Sequence, residues 1–268
     1  MGLETWIEVS RMDELGRQDT PVHRLDARVK TVTTFLFIVF VMSFSRDEVS
    51  ALTPFFLFPV TLMFLGQIPP RSLFRKILVA APFAVAVGIF NPLLDQRTVA
   101  VFGATPVSGG WFSFASIMLR FVLTVSAALV LVACTGMHRL CEGLERLGVP
   151  RVFAVQLLFL YRYLFIIADE GSRMLRSIEL RSTGTKKMRF RVYVSLVGHL
   201  LLRSMARADR VYRSMLARGF DGQVRVSRPA PLRWADPAFL FGWAAFFVVA
   251  RTWNLADMLG GLFMKGAS

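Results

Sequence analysis

Several groups of residues in this chain have types and spacings that could support chemistry. Cys134, His138 and Cys141 stand at i, i+4 and i+7, a helical face that could in principle hold a zinc-like metal ion. The chain has two cysteines and no further thiol or imidazole nearby, so neither a disulfide framework nor a thiolate site can be built. The favoured reading is chance placement near a membrane boundary, with no metal site and no cofactor in this chain. Gly143-x4-Gly148 echoes a phosphate-binding loop, but Val149 and Pro150 stand where a lysine and a hydroxyl are needed to hold phosphates and Mg²⁺. Asp169 and Glu170 read as i+4 and i+3 partners of Arg173. Tyr161, Arg162 and Tyr163 read as interfacial anchors flanking a snorkelling cation. No nucleophile with its base emerges, so no catalytic residue is expected.

The remaining candidates are arginines at helix ends. One long helical pattern finishes in Leu180, Arg181 and Ser182, and a second in Ala217, Arg218 and Gly219. A planar guanidinium suits fixed-geometry docking onto carboxylates or carbonyls of another protein. A plainer reading is that Arg181 and Arg218 complement the negative C-terminal ends of their own helices. On residue chemistry alone both readings stand.

The elements that would carry these residues follow from composition. The chain has 268 residues, 54% of them hydrophobic, with 25 phenylalanines and a formal charge of +14. Such apolarity exceeds that of ordinary soluble domains. It also falls in blocks separated by short charged loops, the pattern of a polytopic membrane protein. Residues 1–30 are polar, without the apolar core of a cleavable signal. Apolar blocks follow at residues 31–44, 51–66, 77–90 and 111–134, with a last one at 237–249. Lys30 and Arg46 flank the short first block and are expected to snorkel. Arg120 interrupts the fourth block, where lipid exposure would be costly, so it is expected to face the bundle interior or an interface. Residues 91–110, with their glycines and Pro106, read as a loop or short hairpin.

Lys and Arg gather before the first block, between the second and third, and after the fourth, which places the N-terminus and residues 137–233 on the cytoplasmic side. Between residues 137 and 233 there are 19 Lys and Arg against 7 Asp and Glu. Nucleic acid is disfavoured as the partner because long apolar runs interrupt this basic region. Within it, residues 138–147 read as a short amphipathic helix, with Gly148 as its terminator and Pro150 in the first turn of the next. That next helix begins apolar and turns mixed after Ala168. In the following one, Val197, Leu201, Met205, Ala208, Tyr212 and Met215 form an apolar stripe, and Arg203, Arg207, Arg210 and Arg213 a basic one. Glycine caps are expected after both long helices, at Gly184 and Gly219. The expected fold is all-α: about five to six membrane helices plus long cytoplasmic amphipathic helices. Residues 1–30 form a polar segment, 31–136 the first four spans, 137–220 the arginine-ended module, and 221–268 a basic loop, the last span and a tail.

The strings G-M-H-R-L-C-E-G-L-E-R-L-G-V-P, L-Y-R-Y-L-F-I-I-A-D-E, E-L-R-S and M-L-A-R-G-F-D resemble the transmembrane component of energy-coupling factor transporters, in its cobalt/nickel branch. The resemblance implies a non-catalytic coupling subunit of the bacterial inner membrane. It further implies two ATP-binding-cassette ATPase partners that bind ATP and Mg²⁺, and a separate membrane subunit that holds the transported metal. Carried over residue by residue, it makes Arg181 and Arg218 the ATPase-docking arginines. Leu180 departs from the small residue usual at the first position of that motif. Two other classes compete with this reading. A lipid-modifying membrane enzyme would need an acid, base or metal set at headgroup depth, and a secondary transporter would need acidic or histidine groups within its spans.

Overall fold

The computed structural model describes residues 20–44, 50–90, 98–102, 105–181, 190–221 and 233–252. Ser182 and Gly184, named above, lie outside these described residues, as does Arg46. The chain divides into two units, with the division between Gly136 and Met137. The helix after residue 233 belongs with the N-terminal helices.

In the N-terminal unit, helix α1 (Ala27–Met42) begins where Asp26, in extended backbone, accepts the Arg28 N–H at 2.8 Å. Such a side-chain cap satisfies one of the orphan amides of the first turn. The second apolar block is a 3₁₀ helix, Ser50–Phe56, running into α2 (Leu57–Leu65). Helix α3 (Pro70–Gly88) starts earlier than its apolar block because Pro70 suits a first helical turn, so the basic residues 71–76 are themselves helical. A short antiparallel hairpin, β1 (Thr98–Phe102) with β2 (Thr105–Ser108), interrupts the helical architecture. Helix α4 (Gly109–Thr135) and the helix of Ala235–Thr252 complete the unit.

The core of this unit is aromatic. Phe37, Phe55, Phe58 and Phe247 are fully buried, with the Phe37 and Phe58 rings stacked at 4.7 Å and Phe37 and Phe247 5.5 Å apart. Such offset and edge contacts add to the area buried by each ring. Outside this cluster the helices expose apolar surface: Val79 and Phe83 of α3 are 78% and 77% exposed. Lipid accepts such a face and water does not. Among the described residues, two helices are long and apolar enough to cross a membrane, within Gly110–Thr135 and Arg151–Arg181, while Ala51–Leu65 is a shorter apolar helix.

Three polar positions organise the unit, and one corrects the sequence expectation. Lys30 does not snorkel. It is 3% exposed, and its ammonium donates to the Cys134 carbonyl at 3.0 Å. The lysine therefore occupies the negative end of α4, where a cation is favoured. Arg120 does face inward within its unit, donating to the Phe44 carbonyl at 3.2 Å at the end of α1. Arg251 reaches the neighbouring Ser43 carbonyl at 3.1 Å and lies 4.3 Å over the Phe44 ring, a cation–π placement.

At the end of α2, Gly66 approaches α4 so closely that a Cβ there would stand 2.6 Å from the Cys134 sulfur. Gly66 keeps right-handed backbone at φ −83, and Gln67 is the left-handed residue of the cap at φ 50. Side-chain-bearing residues pay about 1–2 kcal/mol for this conformation. Gln67→Gly relieves that cost but gives the unfolded chain extra freedom of about 0.4–1 kcal/mol. The thermal midpoint of the detergent-solubilised protein is therefore expected to rise only modestly, by about 1 kcal/mol of stability or less. An unchanged or lowered midpoint would contradict it.

Candidate docking module

The second unit is built from α5 (Met137–Arg146), α6 (Arg151–Arg181) and α7 (Phe190–Ala217). Helix α5 ends as its sequence implies. Gly148 adopts φ +104, its N–H meets the Glu145 carbonyl at 3.2 Å, and the Val149 N–H meets the Leu144 carbonyl at 3.1 Å. This paired pattern closes the last carbonyls of a helix. Pro150 stands just before α6 rather than in its first turn, its carbonyl accepting the Phe153 N–H at 3.0 Å. The Arg151 guanidinium reaches back to Glu145 at 2.7 Å, tying the two helices at their junction.

Helix α7 ends with the same device. Gly219 has φ +78, its N–H bonds the Leu216 carbonyl at 2.9 Å, and the Phe220 N–H bonds the Met215 carbonyl at 3.0 Å. The end of α7 is thus capped by backbone alone. The Arg218 side chain is exposed and, among the described residues, has no ion-pair or hydrogen-bond partner. Ala217 and Gly219 beside it are exposed too. At the end of α6, Leu180 is 83% exposed and Arg181 is likewise without a partner among the described residues.

The acidic residues of α6 divide their work differently from the sequence expectation. Asp169 does pair with Arg173, at 3.1 Å across one turn. Glu170 does not. It faces α7, with one carboxylate oxygen 3.3 Å from Arg203 and the other 2.6 Å from Arg207. The basic stripe of α7 is accordingly part-neutralised, since Arg213 pairs within the helix with Asp209 at 3.0 Å. Arg210 remains without a partner among the described residues. The spacing within α6 suggested only intrahelical pairs because a residue 37 positions away leaves no local trace.

The apolar stripe of α7 is mostly uncovered within the chain. Val197, Leu201, Met205 and Tyr212 are all more than half exposed. Met205, Ala208, Tyr212 and Met215 line one side of an open groove of about 510 Å³, with Phe159, Leu160, Tyr163 and Ile167 of α6 on the other and Phe220 at its end. Val197 and Leu201 lie outside it. Tyr163, read above as an interfacial anchor, lines this groove. Phe159, Tyr163 and Ile167 were absent from the predicted set, although their four-residue spacing is a helical stripe.

For chemistry at the other candidates the geometry offers little. Cys141 is buried, and burial pushes its thiol above the ordinary cysteine range, away from the thiolate that binds metals. Among the described residues, no three His, Cys, Asp or Glu side chains come together as a metal-binding group.

Long apolar helices and lipid-compatible outer faces are those of a membrane protein, and the chain also carries a module of amphipathic helices. The chain belongs to the cobalt transport protein family, whose model matches residues 18–228, and through its relatives to the transmembrane components of energy-coupling factor transporters. It is similar to the energy-coupling factor transporter transmembrane protein EcfT of Thermanaerovibrio acidaminovorans, with 27% identity over 93% of this chain and 94% of that one. The proteins of the same name from Leuconostoc gelidum and Bacillus subtilis are 24% and 26% identical, over 87% and 75% of this chain and 93% and 81% of their own lengths.

Proposed function

We propose that this chain is the non-catalytic coupling subunit of an ATP-driven importer for cobalt or nickel ions. It spans the bacterial cytoplasmic membrane about five to six times with its N-terminus inside, the orientation supported by the asymmetry of Lys and Arg. Two ATP-binding-cassette ATPases dock on the ends of α6 and α7 through Arg181 and Arg218, each within its tripeptide of Leu180, Arg181, Ser182 and Ala217, Arg218, Gly219. The ATPases bind ATP and Mg²⁺, and a separate membrane subunit holds the metal. Movements of the ATPases reach that subunit through the apolar faces of α6 and α7.

The observation that carries this reading is Arg218. Its helix is already closed by the Gly219 and Phe220 amides, so the side chain is not needed as a cap and stands exposed beside small neighbours. A guanidinium presented in that way suits capture by a carboxylate or carbonyl cluster on another protein. The family's description supports a cobalt-like cargo, and the name shared by the relatives supports the transporter class.

Purification provides the test. The chain alone, free of other proteins, is expected to show no ATP hydrolysis. Co-expressed with the paired ATPases of an energy-coupling factor transporter, it is expected to retain both through affinity purification, with ATP turnover in the eluate. Turnover by the isolated chain, or failure to retain either ATPase, would overturn the proposal.

A further inference from the structure

Helices α6 and α7 meet around Glu170 and Gly171. Gly171 is buried there, and a methyl group on it would stand 3.4 Å from the Leu200 side chain. One residue earlier, Glu170 is nearly enclosed, with 13% of its side chain exposed, and takes Arg203 on one oxygen and Arg207 on the other. Next to this contact lies the groove between the early half of α6 and the late half of α7. The helices run in opposite senses, so Arg181 and Arg218 lie on opposite arms of the pair. Counted from the Glu170–Arg207 pair, the shorter of the two ion pairs, Arg181 and Arg218 are each eleven residues away. At 1.5 Å per residue each arm is about 16 Å long.

We propose that Glu170 is a positioning residue that fixes the crossing of α6 and α7 and so the separation of the two docking ends. The proposal rests on the docking reading above. An exposed ion pair contributes little, but this carboxylate is shielded and held from both sides, which constrains rotation of one helix about the other. Beside the ion pairs, Leu200 packs against Gly171, which offers no side chain to interlock with it. Without the clamp, a rotation of about 20° would displace each arginine by about 5 Å at the end of its arm. Both ATPases could still bind, one at each arginine, but their closure would no longer reach the membrane unit in register.

The test uses spin labels on the full chain in lipid nanodiscs, with the buried Cys134 and Cys141 replaced by alanine. Labels go on cysteines substituted for Arg176 and Arg210, exposed positions on the two arms that lie outside the proposed docking tripeptides and the clamp. The unmodified clamp is expected to give one narrow distance distribution. Glu170→Gln should broaden it and shift it by about 2–3 Å, the displacement that a rotation of about 20° gives at labels six and three residues from the clamp. The full charge swap, Glu170→Arg with Arg203→Glu and Arg207→Glu, should narrow it again. In the assembled transporter without labels, Glu170→Gln should lower metal uptake per ATP about tenfold, within the range of typical coupling energies, while ATPase recovery stays at the wild-type level. An unchanged distance distribution in Glu170→Gln overturns the proposal, as does a swap that leaves it broad. Loss of ATPase recovery without a distance change would make Glu170 a contact residue and equally overturn it. Failure of the unmodified chain to retain ATPases would count against the docking reading alone, because the label distances judge the clamp in either case.

Discussion

Replacing both Arg181 and Arg218 with alanine is expected to reduce recovery of the ATPases with this chain to near background. Either single replacement should leave a partial complex. Truncating one partner of a buried, hydrogen-bonded charge contact costs on the order of 2–5 kcal/mol, whereas a rim charge matters far less. Two such contacts on separate arms make the double variant the largest functional effect expected in this chain. Lysine distinguishes charge from shape. It keeps the cation and loses the planar fork, so a geometric socket predicts Arg→Lys nearly as damaging as Arg→Ala. If the arginines merely complemented their helix ends, lysine would replace them and the alanine variants would cost a few tenths of a kcal/mol to about 1 kcal/mol of stability. The capping bonds at Gly219 and Phe220 weigh against that outcome for Arg218. The measurement is pull-down of the ATPases at matched membrane abundance of the chain, and undiminished recovery with the double alanine variant would refute docking through these residues.

What could be read from the sequence follows from the range of the interactions involved. Helix ends set by local backbone geometry were legible: Gly148 and Gly219 terminate α5 and α7 as expected, because a glycine after an apolar periodic run favours that cap wherever it occurs. The cost of an arginine in lipid is likewise a local fact, and Arg120 turns inward as that cost implies. The motif strings pointed to the family that the comparison with residues 18–228 shows. Interactions between distant residues were not legible. Lys30 looked like a membrane-edge cation because its acceptor, the Cys134 carbonyl, lies 104 positions away. Glu170 looked like a partner for Arg173 because helical spacing was the available guide, and the competing arginines belong to the next helix. For the residues proposed to dock, exposure of Leu180, Arg181, Ala217, Arg218 and Gly219 agrees with a role outside the chain and follows equally from their place at helix ends.

The largest expected effect on stability belongs to a residue the motif reading passed over. Asp236, in the first turn of Ala235–Thr252, is 2% exposed. One carboxylate oxygen accepts the Arg233 N–H at 2.7 Å, and the other accepts the Asp26 N–H at 2.8 Å, across 210 positions of sequence. Asp26 is itself the cap of α1, so one buried carboxylate secures the starts of two helices that bring Phe37 and Phe247 to the core. Hydrogen bonds to a charged acceptor contribute about 1.5–3 kcal/mol each, and a buried amide left without its acceptor adds a desolvation penalty. Asp236→Ala is therefore expected to destabilise the N-terminal unit by about 3–5 kcal/mol, within the range for losing one side of a buried charged contact. Asparagine should rescue little. It offers one acceptor where two amides need one each, and its NH₂ would face a second donor. Thermal unfolding in detergent, with yield of monodisperse protein as a second measure, would check both variants. If Asp236→Asn matches wild type, the carboxylate is not bridging the two helices in this way. If Asp236→Ala does, the contact contributes no net stability.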